Sequence, residues 1–226
     1  MNKILVLSTP RSSSTSYSKY LCDLHNLSDL SEPFYLTEGY THKSKELFTR
    51  VNQRYFSEER TLLKCHAGHI AEFMPVRPKG WFQDVVDISD EIHFIVRQDP
   101  RAQIKSLFVA AFHSRIQNDP TKHMQEHFHE EWQEELVIPD TPEIRAQWRR
   151  LETVLIYNLV SLSTLYHMLI DRDPKVVWSH EISDLLPRKK YQRPVRFEWE
   201  PEYMLAEDNF FPADVNQIFK ANQECF

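Results

Sequence analysis

Glycine is nearly absent, at three in 226 residues. A phosphate loop of the form G-x-x-x-x-G-K-[ST], whose glycines let backbone N–H groups approach an anion, has no match in the chain. Cysteine is as sparse. Cys22, Cys65 and Cys225 share no metal-binding spacing, and their odd number argues against a disulfide framework. No apolar run approaches the ~18 residues of a membrane span, and Pro10 interrupts the first apolar stretch too soon for a signal peptide. The expectation is a reducing, cytoplasmic setting. Nor is positive charge in excess: 27 Lys and Arg face 33 Asp and Glu, a net charge of −6. No global field draws nucleic acid, so any anion site must be a local basic cluster. Repeats and low-complexity tracts are also lacking.

What is present is a foldable composition. Hydrophobic residues make up 41% and aromatics 12%, which fits a soluble globular chain. Its length fits one large domain, residues 1–226, with a sizeable core.

The chain is organised around its first fifteen residues. Lys3 to Ser8 reads as a buried strand of a parallel sheet. Pro10 stops it, and from Ser14 a helix is expected with Tyr17, Tyr20, Leu21 and Leu24 on its apolar face. A strand, a hydroxyl-rich loop and a helix N-terminus form an anion cradle, because first-turn N–H groups lack helical partners and the dipole favours negative charge. Ser12, Ser14 and Thr15 add hydroxyl donors there, and Arg11 adds a fixed cation.

Further along, a helix is expected around 43–56, a strand over Thr61–His66, a helix from Gly80 to Ile88 and a strand over Glu91–Val96. Asp99 before Pro100 predicts an N-cap with Pro at the first helical position, and Ile104, Leu107, Phe108 and Ala111 continue that helix. The polar, His-bearing stretch 113–140 reads as a lid or acceptor-side insertion. Asp140-Thr141-Pro142-Glu143 opens the longest periodic run, from Ile144 to Leu169. Lys175–Ser179 reads as a fourth core strand. Strands alternating with helices imply an α/β fold with a central parallel sheet and helices on both faces. Ligands then sit beyond the carboxyl ends of the strands, which draws Arg11, Lys64, His66, Arg97 and Arg101 toward one edge.

Pro10-Arg11-Ser12-Ser13-Ser14-Thr15 resembles the 5′-phosphosulfate loop P-[KR]-S-G-[ST]-T of sulfotransferases. Ser13 stands where that family has glycine, so a left-handed backbone at this position would be strained. Lys64-Cys65-His66 resembles the K-[TS]-H triplet of cytosolic members, in which Lys meets the transferring sulfuryl group and His takes the acceptor's proton. The stretch from Arg97 to Ser106 resembles the 3′-phosphate motif, with a spacing of nine where the family has eight; Arg101 is the alternative cation. Glu32-Pro33-Phe34 resembles the E-P segment of carbohydrate-type and bacterial members, whose Glu is the general base. Glu181–Leu185 resembles the element that closes the family's sheet, and Arg188-Lys189-Lys190 its C-terminal basic loop.

The resemblance implies a three-layer, P-loop-like α/β sandwich. It implies a sulfotransferase that uses 3′-phosphoadenylyl sulfate, releases 3′-phosphoadenosine 5′-phosphate and needs no metal. It places Arg11, Ser12, Ser13, Ser14, Thr15, Arg97, Arg101 and Ser106 on the nucleotide. Glu32 or His66 is then the base, and Arg11 and Lys64 stabilise the leaving charge. The acceptor, a small molecule or saccharide, is not readable; stretches 35–55 and 113–131 are the expected acceptor side. Alternatives are a non-catalytic nucleotide-binding protein of the same fold, or a P-loop kinase, the latter disfavoured by the missing Walker lysine. His123-Met124-Gln125-Glu126-His127 formally matches H-x-x-E-H, but its setting of Lys122, His129, Glu130 and Glu131 is polar rather than the apolar helical frame of a metalloprotease.

Overall fold

The computed structural model describes residues 2–30, 49, 52–73, 80–112, 116, 135–185 and 194–205. In chain order the elements are β1 (Asn2–Ser8), α1 (Ser14–His25), β2 (Ser28–Asp29), β3 (Arg60–His66), α2 (Ala67–Phe73) and α3 (Trp81–Ile88). They continue with β4 (Glu91–Val96), α4 (Pro100–Ala111), β5 (Leu136–Ile138), α5 (Pro142–Met168), a 3₁₀ turn (Ile170–Arg172), β6 (Lys175–Trp178), α6 (Ser179–Leu185) and β7 (Val195–Phe197). Two compact units result: Met1–Arg97 with Tyr157–Leu186, and Gln98–Ile156 with Pro187–Phe226.

The first unit holds a five-stranded parallel sheet in the order β2-β3-β1-β4-β6. Its central strands are apolar on both faces because helices cover both. Ile4 and Val6 of β1, Leu62 of β3 and Ile95 of β4 pack with Tyr17, Leu21 and Cys22 of α1 and Ile182 of α6. Leu5, Leu7, Leu63, Cys65 and Phe94, of the opposite parity, are equally buried. On that face the Phe94 ring meets Tyr166 of α5 edge-on, with centroids 5.4 Å apart.

Two local readings need correction. Leu24 lies off the core face of α1 and is exposed, because the buried stripe runs through Ser14, Tyr17, Ser18, Leu21 and Cys22. The small hydroxyl residues let the helix lie close on the sheet, and hydropathy does not register them as interior. Among the described residues Lys175–Trp178 is an edge strand rather than a core strand: its residues are half-buried or exposed, and it pairs with β4 alone. The two-residue strand Ser28–Asp29 carries no sequence signal of its own.

In the second unit, α4 opens as expected. Asp99 Oδ1 accepts from Ala102 N–H at 2.8 Å, and Pro100 occupies the first turn. Phe108, Trp148 and Phe197 pack together, with ring centroids 5.3 Å apart for Phe108–Trp148 and 5.6 Å for Trp148–Phe197. β5 and β7 form a separate parallel pair, with Leu136 opposite Val195. The buried carboxylate of Glu152 accepts from the N–H groups of Met204 and Leu205, at 2.7 and 3.0 Å, and pins that segment to α5.

Candidate functional site

From β1 the chain passes over β3 to reach β2, whereas from β4 it goes outward to β6. The two strands are neighbours whose connections diverge, a topological switch point, and open parallel sheets take their ligands at the carboxyl ends of such strands. The β1–α1 loop and Arg97 stand at that point.

The loop turns through two left-handed residues, Arg11 at φ 62° and Ser13 at φ 68°, ψ 12°. Neither is glycine, and such a conformation costs an L-residue roughly 1–2 kcal/mol. Between them the Ser12 hydroxyl donates to the Thr9 carbonyl at 2.8 Å. That single proton braces the loop from inside, and Ser12 is fully buried with Thr9. Ser13 is the N-cap of α1 but makes no side-chain capping bond; its carbonyl accepts the first helical bond, from Tyr17 N–H at 3.1 Å. Ser14 is buried, while Ser13 and Thr15 face outward.

Parallel register brings the other cations to the loop. Lys64 lies opposite Val6, and His66 lies opposite Ser8. The Lys64 ammonium, on a nearly fully buried side chain, donates to Thr15 Oγ1 at 2.8 Å. Thr15 accepts there and keeps its own proton to donate. His66 Nδ1 and Ser8 Oγ are 3.2 Å apart, and the His66 ring meets His69 edge-on at 5.5 Å. Arg97 Nη1 donates to the carbonyl of Arg11 at 3.3 Å. Burial, and next the charge of Arg97, lower the Arg11 guanidinium to about 10. A half-buried cation beside a second cation is a place where an anion relieves an existing electrostatic cost.

Arg101 and Ser106 belong to the second unit. Arg101 Nε donates to the Leu205 carbonyl at 3.2 Å, and its guanidinium lies 4.9 Å from the centre of the Tyr203 ring. Ser106 is half-buried on α4. Glu181 is exposed and accepts from Trp178 N–H at 2.7 Å, the reach-back of a capping box at the start of α6. Of the expected acceptor side, Tyr55 is core: its hydroxyl is 2.8 Å from Ser89 Oγ. Glu32, His123, Glu126, His127, Arg188, Lys189 and Lys190 lie outside the described residues. Among the described residues no cluster of three or more His, Cys, Asp or Glu side chains converges as a metal site, and no helix is long and apolar enough to cross a membrane.

Sequence reasoning missed a polar cluster behind the loop. Tyr17 OH is 2.9 Å from His93 Nδ1, and His93 Nε2 is 3.0 Å from Glu91 Oε2, which also accepts from Lys175 Nζ at 2.5 Å. The spacing Glu91-x-His93 in a strand, which puts both on one face, was the available signal.

Compared with protein-family models, with curated proteins and with solved structures, the chain has no match.

Proposed function

We propose that the chain is a sulfotransferase that moves a sulfuryl group from 3′-phosphoadenylyl sulfate to a hydroxyl or amine, on a three-layer, P-loop-like α/β scaffold. The observation that carries this reading is the backbone at Ser13. It is left-handed at the one loop position where the family pattern has glycine, so the chain keeps the turn while lacking the residue that makes it easy. The convergence of Arg11, Lys64 and Arg97 on that loop supports a polyanionic ligand.

In this reading the loop N–H groups, Ser14 and Thr15 hold the 5′-phosphosulfate. The acceptor oxygen or nitrogen attacks sulfur in line, the bond from sulfur to the phosphate oxygen breaks, and its electron pair leaves on 3′-phosphoadenosine 5′-phosphate. Arg11 and Lys64 neutralise the charge that grows on that oxygen; preorganised stabilisation of this kind is usually the largest contribution to catalysis. The acceptor's proton passes to Glu32 or to His66. Arg at position 11 offers a planar fork in place of the point charge of Lys.

The test is transfer of radiolabelled sulfuryl from the donor to a panel of phenols, saccharides and amines, with chelator present. Label should move to an acceptor with release of 3′-phosphoadenosine 5′-phosphate. Substituting the true base, Glu32→Gln or His66→Gln, should cost ~10²–10⁴-fold. Nucleotide binding without transfer to any acceptor would favour a non-catalytic binding protein.

A further inference from the structure

The loop holds two non-glycine residues in a conformation that persists only where surrounding structure over-determines it. Ser12 braces it to Thr9. At its helical end Tyr17 N–H donates to the Ser13 carbonyl. Tyr17 is in turn held through its side chain. Its hydroxyl meets His93 Nδ1 at 2.9 Å in a buried contact, with the two rings 5.7 Å apart. His93 is on β4, the strand that pairs with β1, and lies opposite Val6 of β1 and Lys175 of β6.

The direction of each proton follows from the chemistry. Glu91 is a carboxylate, kept ionised down to about 2 first by Lys175 and next by His93. It can only accept, so His93 Nε2 carries the ring proton and donates to it. His93 Nδ1 is then a bare acceptor, and the Tyr17 hydroxyl must donate to it. Burial lowers the affinity of His93 for a second proton and raises the Tyr17 phenol to about 12, so both stay neutral near pH 7. Donation therefore runs from Tyr17 to His93 and from His93 to Glu91, which also accepts from Lys175.

We infer that His93, acting through Tyr17 and oriented by Glu91, is a positioning residue that holds Ser13 in its left-handed turn and so keeps the β1–α1 loop shaped for an anion. The relay spans α1, β4 and β6 and leaves the first turn of α1 one tyrosine hydroxyl away from the sheet. The inference rests on the reading of the loop as the nucleotide's phosphate site, and it names residues that no loop motif contains.

A mutant cycle tests it. Tyr17→Phe removes only the hydroxyl and keeps the ring in the core; Ser13→Gly lets the turn form without support. For each single variant and the double variant, calorimetry gives the affinity for 3′-phosphoadenosine 5′-phosphate, and thermal unfolding gives the midpoint. Tyr17→Phe should weaken binding about 5- to 10-fold, the scale of one hydrogen bond. Adding Ser13→Gly should recover most of that loss. Nitrogen-15 shifts of His93 should show Nε2 protonated in the parent protein and a changed Nδ1 resonance in Tyr17→Phe. Unchanged affinity in Tyr17→Phe with a lowered midpoint would reduce the relay to core packing and overturn the inference, as would a double variant that binds no better than Tyr17→Phe. If the parent protein binds no nucleotide, the functional reading fails and the midpoints alone decide this one. Ser13→Gly must then stabilise Tyr17→Phe more than it stabilises the parent, and strictly additive shifts overturn it.

Discussion

Arg97, at the end of β4, donates from Nη1 to the main-chain carbonyl of Arg11, in the loop after β1, at 3.3 Å. One cation thus holds the backbone of another, and the charge of Arg97 adds to burial in lowering the Arg11 guanidinium to about 10. For a base the depressed value is a cost. The unfolded chain carries the Arg11 charge more readily than the folded one at every pH below about 10, and the cost fades only as pH rises past that value.

An anion should therefore stabilise the folded protein. Sulfate is expected to raise the thermal midpoint above that in chloride at matched ionic strength, by about 2–5 °C near saturation. Arg97→Ala should shrink the difference. Equal midpoints in the two salts would mean that the paired cations do not form an anion site.

At Ser13 the left-handed backbone makes the choice of side chain consequential. Ser13→Val puts a β-branched residue at φ 68°, where it is a genuine outlier, and should destabilise by about 1–2 kcal/mol. Urea unfolding checks this. A neutral effect would show that the loop relaxes out of the turn at no cost.

Gly68 sits two residues after His66, in the first turn of α2. Its N–H donates to Asn158 Oδ1 at 3.1 Å, and a Cβ there would come within 2.6 Å of that oxygen. Asn158 is buried and cannot yield without losing the bond. Gly68→Ala should cost about 1–3 kcal/mol, and Asn158→Ala in the same chain should recover part of it, read again by urea unfolding.

Acid should weaken the first unit in two stages. His93 has a folded value below its ordinary 6.5, through burial opposed by its bond to Glu91. The unfolded chain takes up that proton first, so stability falls as pH drops below about 6.5. Glu91, lowered from 4.5 to about 2, contributes stability that is whole above 4.5 and is lost as pH falls toward 2. The charged groups acting on this cluster are Lys175, Glu181 and His25. Urea midpoints recorded from pH 7 to 3 should decline throughout, and in Glu91→Gln the decline below 4.5 should flatten. An unaltered profile would dissociate the cluster from acid stability.

Much of the fold was legible because its elements are long or sharply punctuated. The apolar run to Ser8, the Asp99-Pro100 start and the 27-residue helix from Pro142 are all where the patterns put them. What escaped was short or non-local. Leu136 pairs with Val195 across a gap that leaves no local trace, and the three-residue strands are below any periodicity. In the site, parallel pairing collects Arg11, Lys64, His66 and Arg97 at one end of the sheet, which the strand-end rule anticipates. Arg101, drawn to that edge by the same rule, belongs to the second unit, where it donates to the Leu205 carbonyl and lies against the Tyr203 ring. The inward bond of Ser12 and the meeting of Tyr17 with His93, 76 residues apart, are contacts that no pattern in the sequence marks.

The most direct test of the nucleotide reading is calorimetric titration with 3′-phosphoadenosine 5′-phosphate in chelator, with Mg-ATP as the control. The account predicts micromolar binding of the first and little of the second, with Arg11→Ala weakening it about 10- to 100-fold, as loss of a charge-assisted contact does. Tight Mg-ATP binding in place of the bisphosphate, or no binding of either, would contradict it.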